Sequence, residues 1–247
     1  MPFSKTPFTK MQSLRNDFVL IEEKNLKSPL SLPCIRLIAD RHQGIGCDQV
    51  IVIKDSEKAD ADLSFYNADG SEASACGNGT RCVAKYLEKD AGFIQTPSFL
   101  STFQKKGDDI TISMKEPSFF PSSPEGHRID VGNPHLVIFT ADLQSIPLAT
   151  YAPSFQPSEG INIEIAQVIS PTTVKVNVWE RGVGITSACG SGACAVGILS
   201  LKLGLIQKSP VFIEMEGGLL EVDWIVGLPP LLTGPAHYCF EGTIDLP

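Results

Sequence analysis

One stretch of this chain occurs twice. SACGNGTRCVA at 74–84 and SACGSGACAVG at 187–197 share Ser-Ala-Cys-Gly, then a variable position, then Gly. The same shift of 113 positions that lays Cys76 on Cys189 also lays Leu63 on Val176, Phe65 on Val178 and Tyr66 on Trp179. Each copy follows one plan. ADLSFYN (61–67) and VKVNVWE (174–180) alternate apolar and polar, as half-buried strands do. A turn-rich loop follows each, and then a helix: TRCVAKYLEKDAG (80–92), with Gly92 as its stop, and ACAVGILSLKLGL (193–205). A single repeat of this size predicts two domains of like fold; a solenoid needs three or more short repeats.

The remaining elements read mostly as strands: 109–117, 135–142, and a hairpin over 211–224 that turns through Gly217-Gly218. The Pro/Ser-rich run EPSFFPSSPEG (116–126) is expected to join the domains. The fold class is therefore α+β, two pseudo-symmetric domains, each a mixed sheet wrapped around a central helix. The expected domains are 1–115 plus 236–247, carrying the Cys76 loop, and 116–235, carrying the Cys189 loop.

Composition narrows the function classes. Across 247 residues, 43% hydrophobic and 19% charged is the balance of a soluble globular chain with a real core. A net charge of −8 with no basic run argues against a nucleic-acid partner or an anionic membrane. No apolar run reaches the ~18 residues of a membrane span, and the charged N-terminus does not read as a secretory signal. Seven cysteines is an odd number, which with no signal predicts reduced thiols and a cytoplasmic setting. Their spacings match neither zinc pairs nor a redox Cys-x-x-Cys, so no metal is expected. Cys34, Cys82, Cys194 and Cys239 read as small core residues. His42 and His237 read as structural, and His127 as a solvated loop residue.

Cys76 and Cys189 stand where a loop becomes a helix. The first backbone N–H groups of a helix lack internal partners and carry partial positive charge, so they suit a carboxylate and lower the pKa of a thiol placed on them. Two such termini facing each other across a cleft would hold a substrate α-carbon between two sulfurs. One thiolate takes the α-proton from one face, and the other thiol returns a proton to the opposite face. GSGACA (190–195) also fits a relaxed dinucleotide-binding fingerprint, but the strand ending near Glu180 lies too far from Gly190 for a phosphate turn.

These residues closely resemble the diaminopimelate epimerase family, which works without pyridoxal phosphate. The match spans NDF (16–18), RHQGIGCDQ (41–49), NADGSEASACGNGTRC (67–82), GNPH (132–135), ERGVGITSACGSGACA (180–195) and TGPAHYCFEG (233–242). The resemblance implies epimerisation of LL- to meso-diaminopimelate in lysine and peptidoglycan precursor synthesis, with no cofactor and commonly as a homodimer. It makes Cys76 and Cys189 the catalytic pair. Gly77, Asn78, Gly190 and Ser191 would hold the reacting carboxylate through backbone N–H groups. Asn67, Asn162, Glu180 and Arg181 would grip the distal amino-acid end, and Asn16, Gln49 and Asn133 fall on further substrate-contact positions. His135, and Glu180 again, would tune the thiols. The chain departs from the family pattern at QSLR (12–15), where Arg15 replaces a glycine beside Asn16, and at Ile185, where an acidic residue is common. It is also shorter than most members around 118–130 and 142–160.

Three other readings stay open on the residues alone. A proline racemase-like enzyme would leave Glu180, Arg181 and Asn162 without a distal group to bind. A thiol redox protein would pair Cys76 with Cys189 reversibly. A non-catalytic amino-acid-binding module would have no need of two reactive thiols.

Overall fold

The computed structural model describes residues 4–155 and 160–246. The chain divides into two compact units, Met1–Ile112 with Pro235–Pro247, and Ser113–Gly234. The Pro/Ser-rich run 116–126 does not join them. It lies inside the second unit, where Ser118–Phe119 pairs as a short strand with Ile129 and Asp130.

The first unit contains β1 (Ser4–Ser13), β2 (Asn16–Glu22), α1 (Leu32–Ala39), β3 (Gln49–Lys54), β4 (Ala61–Asn67), β5 (Glu72–Ala73), α2 (Gly77–Tyr86), β6 (Ala91–Gln95), β7 (Leu100–Lys106) and β8 (Asp109–Ser113), closed by the last strand of the chain, β18 (His237–Leu246). Pairing runs β18-β1-β2-β3-β4-β6-β7-β8, parallel at β2–β3 and β4–β6 and antiparallel elsewhere.

The second unit repeats that plan with β9 (Ser118–Phe119), β10 (His127–Asp130), β11 (Pro134–Phe139), α3 (Leu148–Tyr151), β12 (Asn162–Val168), β13 (Thr173–Glu180), β14 (Gly184–Thr186), α4 (Gly190–Lys202), β15 (Val211–Met215), β16 (Gly218–Asp223) and β17 (Leu231–Pro235). Its strands pair β9-β10-β11-β12-β13-β15-β16-β17, parallel at β11–β12 and β13–β15. The registers agree to the residue. Phe65 faces Ala73 and Tyr66 faces Glu72 in the first unit; Val178 faces Thr186 and Trp179 faces Ile185 in the second. The pseudo-repeat is thus a repeat of topology, and the protein is α+β with a mixed sheet about a helix in each half.

The two central helices explain the composition of the repeated stretch. α4 is apolar all round, with Gly190 and every residue from Gly192 to Ser200 buried, as a helix enclosed by sheet must be. It packs on β10 to β13, β15 and β16. The hydroxyl of its one buried serine, Ser200, donates to Val196 O at 2.7 Å. α2 packs on β1, β2 and β7. On another part of the first unit, Ile35 and Ile38 of α1 close a core with Val19, Ile21, Val50 and Leu246.

Several sequence expectations need correction. α2 begins at Gly77, not Thr80, and ends at Tyr86; Glu88, with φ +54°, turns the chain out of it. Gly92 is no helix stop but lies within β6, where a Cβ would come 2.1 Å from Asp60 Oδ2 and force a neighbour to shift. α4 runs from 190 to 202 rather than 193 to 205, and Gly204 (φ +71°) follows its end. The 211–224 hairpin turns through Glu216-Gly217, since Met215 pairs with Gly218. The strands expected at 109–117 and 135–142 are 109–113 and 134–139. Cys239 is exposed on β18 rather than in a core, and His127 opens β10, with its Nδ1 3.0 Å from Ser122 Oγ.

Candidate active site

Each unit builds its own cluster around one of the repeated cysteines. Cys76 is the N-cap of α2, with extended backbone (φ −148°, ψ 107°), and its Sγ accepts the Gly79 N–H at 3.4 Å. Its carbonyl takes the Thr80 N–H at 2.8 Å and the Thr80 hydroxyl at 2.9 Å. Cys189 caps α4 in the same way (φ −127°, ψ 117°), its Sγ accepting the Gly192 N–H at 3.4 Å. Sulfur stands here where Ser, Thr, Asp or Asn is usual, satisfying one of the orphan donors of a helix start. The last glycine of each shared motif serves packing. A Cβ on Gly79 would come within 2.8 Å of Ile51 Cδ1, and one on Gly192 within 2.6 Å of Glu164 Oε1.

In the first unit the Cys76 thiol donates to Asn16 Oδ1 over 3.9 Å, and Asn78 Nδ2 donates to the same oxygen at 3.4 Å. Asn16 follows a two-residue turn, Leu14-Arg15, in which both φ values are positive (54° and 69°) and Ser13 pairs with Asn16. Arg15 therefore occupies a conformation that glycine adopts freely, and its N–H is held by Gln12 Oε1 at 3.1 Å. The substitution at this turn leaves Asn16 beside Cys76.

Charges behind Asn16 fix it further. Asn16 Nδ2 donates to Asp48 Oδ2 at 2.8 Å, and Arg41 bridges Asp48 and Asp17 with bonds of 2.8 to 2.9 Å. Lys10 Nζ reaches Asp17 at 2.6 Å. Burial raises the Asp17 carboxyl, but the hydrogen bonds from Arg41 and Lys10 outweigh it and hold the group well below the usual carboxylate range. Gln49 and Asn67 form a pair across β3 and β4, Nε2 to Oδ1 at 2.8 Å, and Asn67 Nδ2 donates to Ser71 at 3.0 Å.

The second unit gathers more chemistry around its thiol. Cys189 Sγ lies 3.4 Å from Ser191 Oγ, and its N–H donates to Met215 Sδ at 3.5 Å. Cys189 is 5% exposed as a residue, whereas Cys76 is half-buried. Burial first, and then the negative charges of Glu180 and Glu164, push the Cys189 thiol well above its ordinary value; Ser191 and the Gly192 N–H pull the other way and lose. The expectation that a helix start lowers this thiol is thus overturned at Cys189. A helix terminus supplies up to ~2 kcal/mol, less than the cost of a buried charge.

Glu180 Oε1 accepts the Thr186 hydroxyl at 2.5 Å. Burial raises the Glu180 carboxyl despite the Thr186 hydroxyl and the Cys189 thiol that donate to it. Asn162 Oδ1 accepts the Arg181 N–H at 2.8 Å, and the exposed Arg181 side chain lies over Gly160. His135 is fully buried between Glu164 Oε1, 2.7 Å from its Nδ1, and Asn133 Oδ1, 3.0 Å from its Nε2. Ile185, where an acid was expected, is exposed on β14 and pairs with Trp179.

The sequence-predicted residues therefore fall into groups: Asn16, Cys76 and Asn78; Gln49 and Asn67; Cys189, Ser191 and Glu180; His135 and Asn133; Asn162 and Arg181. Gly77 and Gly190 are the first residues of α2 and α4. Asp17, Arg41, Asp48 and Glu164 were not singled out from the sequence. The first three are charged residues of the quoted motifs NDF and RHQGIGCDQ.

Comparisons with known proteins agree with the fold. A family model described as diaminopimelate epimerase matches residues 8–117 and 128–238. A diaminopimelate epimerase of Rhizorhabdus wittichii is 36% identical over 264 residues, covering 97% of this chain and 95% of its own. One of Gluconobacter oxydans is 37% identical over 255 residues, covering 96% and 98%. Among solved structures, a hydroxyproline epimerase from Agrobacterium vitis superposes with TM-score 0.74 at 11% identity, over 100% of this chain and 93% of its own. A phenazine biosynthesis protein of the PhzF family from Bacillus anthracis does so with TM-score 0.73 at 15% identity, over 98% and 99%. At those identities the structures share the fold alone.

Proposed function

The chain belongs to the diaminopimelate epimerase family, and from that premise we propose that it interconverts LL- and meso-diaminopimelate with Cys76 and Cys189 as its two bases. The observation that carries this reading is the pair of thiol N-caps. Each sulfur sits at a helix start in an equivalent loop, each taking the N–H of the second residue past Gly77 or Gly190 at 3.4 Å.

In the proposed reaction one sulfur, as thiolate, removes the α-proton from one face of the substrate carbon. The C–H electron pair passes into the carboxylate as enediolate character, stabilised by the helix-start N–H groups of Gly77, Asn78, Gly190 and Ser191. The other sulfur, as thiol, delivers its proton to the opposite face. Configuration inverts and the two sulfurs exchange protonation states, so no external acid, base or cofactor is consumed. Asn16, Gln49 and Asn133 orient the substrate. Arg181 grips the distal carboxylate with its fork of donors, Glu180 accepts from the distal ammonium, and Asn67 and Asn162 complete the donors. His135 and Glu180 also set the surroundings of Cys189. The working form we propose is a cytoplasmic homodimer acting in lysine and peptidoglycan precursor synthesis.

The test is isotope exchange. Purified protein in deuterated water, with no cofactor added, should wash deuterium into the α-position of LL- and meso-diaminopimelate and leave proline and alanine untouched. Exchange with proline as fast as with diaminopimelate would overturn the substrate assignment.

A further inference from the structure

Glu164 is a charged residue in a place that packing alone does not explain. It lies on β12 between Ile163 and Ile165 and has no solvent exposure. Its Oε1 faces His135 Nδ1 at 2.7 Å, and Asn133 holds the far side of the ring. A Cβ on Gly192 would come 2.6 Å from the same Oε1 and 3.3 Å from Cys189 Cβ. The carboxylate therefore lies against the first turn of α4, where backbone N–H groups carry partial positive charge. Its other oxygen, Oε2, is buried and has no hydrogen-bond partner among the described residues. A buried carboxylate with half of its acceptor capacity unused is costly, and a neutral residue would fill the space at lower cost.

We propose that Glu164 is a positioning residue for the chemistry at Cys189, holding the His135 ring by its Nδ1–H and opposing negative charge on the sulfur. The inference rests on the reading of Cys189 as a reacting thiol. Two strands and one helix supply the groups that act on it: Glu164 on β12, Glu180 at the end of β13, and Ser191 with the Gly192 N–H on α4, while His135 on β11 holds the Glu164 carboxylate. With Nδ1–H bound to Glu164, the ring turns Nε2 toward Asn133. That amide can offer either its oxygen or its NH2, so the contact serves the ring with or without a proton on Nε2. The Glu164 carboxyl thus lies against the helix start that carries Cys189, with the His135 imidazole held on its Oε1.

Glu164→Gln keeps size and removes the charge. Iodoacetamide alkylation of Cys189, followed by peptide mass spectrometry across pH and without substrate, reads the sulfur directly. The Gln variant should shift the Cys189 midpoint down by about one pH unit, as loss of a nearby like charge does. Its kcat should fall by about tenfold, with KM changed by less than about twofold. Glu164→Asp, which keeps the charge, should hold the midpoint near wild type. An unmoved midpoint in a Gln variant with native melting behaviour would overturn the proposal and leave Glu164 a packing residue. The wild type alone also decides: a Cys189 midpoint at or below the ~8.5 of a free thiol overturns the proposal whether or not the variants fold. Absence of substrate α-exchange in the wild type sinks the epimerase reading instead, and the alkylation midpoints still report on Glu164.

Discussion

Sulfur accepts hydrogen bonds weakly, yet Cys76 and Cys189 hold positions where an oxygen would cap a helix better. That mismatch separates capping from chemistry by mutation. Cys76→Ser and Cys189→Ser should keep the caps and melt within a few degrees of wild type, while turnover of diaminopimelate falls by at least about 100-fold. Alanine at either position should lose turnover as well and cost about 0.5–2 kcal/mol in denaturant unfolding through the lost cap. A serine variant with near-wild-type turnover would remove that sulfur from the mechanism. The two thiols were legible because a repeated frame around a cysteine at a loop-to-helix junction has few structural explanations. Glu164 was not, because INIEIA (161–166) reads as an alternating strand with its acid facing water. In the structure Asn162 through Ala166 are all buried, so alternation carries no information about which face is wet. The direction of the Cys189 shift was equally hidden, since it depends on burial by β-strands distant in sequence.

The elements follow local pattern where one face is exposed and lose it where both are covered. β4 alternates buried and half-exposed positions, and its sequence bounds, 61–67, match the strand. The sequence pattern starts α2 and α4 three residues late, at Thr80 and Ala193, because Gly-x-Gly reads as loop until the cysteine is seen to cap it. The eight residues of α1 are too few for a periodic signal, although Ser31 caps it and Pro33 sits in its first turn. The enclosure of α4 gives a sharper test. A Cβ on Gly197 would come 2.8 Å from Val222 Cβ and 2.9 Å from its Cγ1, on a branched side chain with little room to move. The equivalent residue of α2 is Ala84, buried without difficulty. Gly197→Ala gains about 1 kcal/mol of helix propensity but overpacks by about 1–3 kcal/mol. Net destabilisation is expected, measured as a lower denaturant midpoint, and a stabilised variant would show that β16 yields.

At the scale of the whole chain the repeat was legible and the charge asymmetry between the units was not. Asp17 is held well below the carboxylate range by Arg41 and Lys10. Stability from such a group is fully present above its unfolded value of about 4 and is lost as pH falls toward its folded value. Glu180, in the second unit, is raised by burial, so its contribution runs the other way: present at low pH and lost as pH rises through its folded value. Acidification to about pH 3 should therefore loosen the first unit before the second. Hydrogen exchange read by mass spectrometry should show β1 to β3 peptides losing protection ahead of β11 to β13. Asp17→Asn should abolish most of that difference. Earlier loss of protection in β11 to β13 would contradict the assignment.

The pairing of β1 with β18, from Ser4 with Leu246 to Gln12 with His237 with one register shift between Lys10 and Met11, also bears on how the chain is made. The second unit is continuous in sequence and can close as soon as its own strands have left the ribosome. The first cannot, because β1 precedes every strand of the second unit in the sequence and β18, the strand that covers its free edge, follows them all. Until then β1 offers a row of unpaired backbone groups, the usual template for pairing with a neighbouring chain. The edge of β1 stays open to such pairing throughout the making of the second unit, and a circular permutant that makes β18 ahead of β1 would remove that interval.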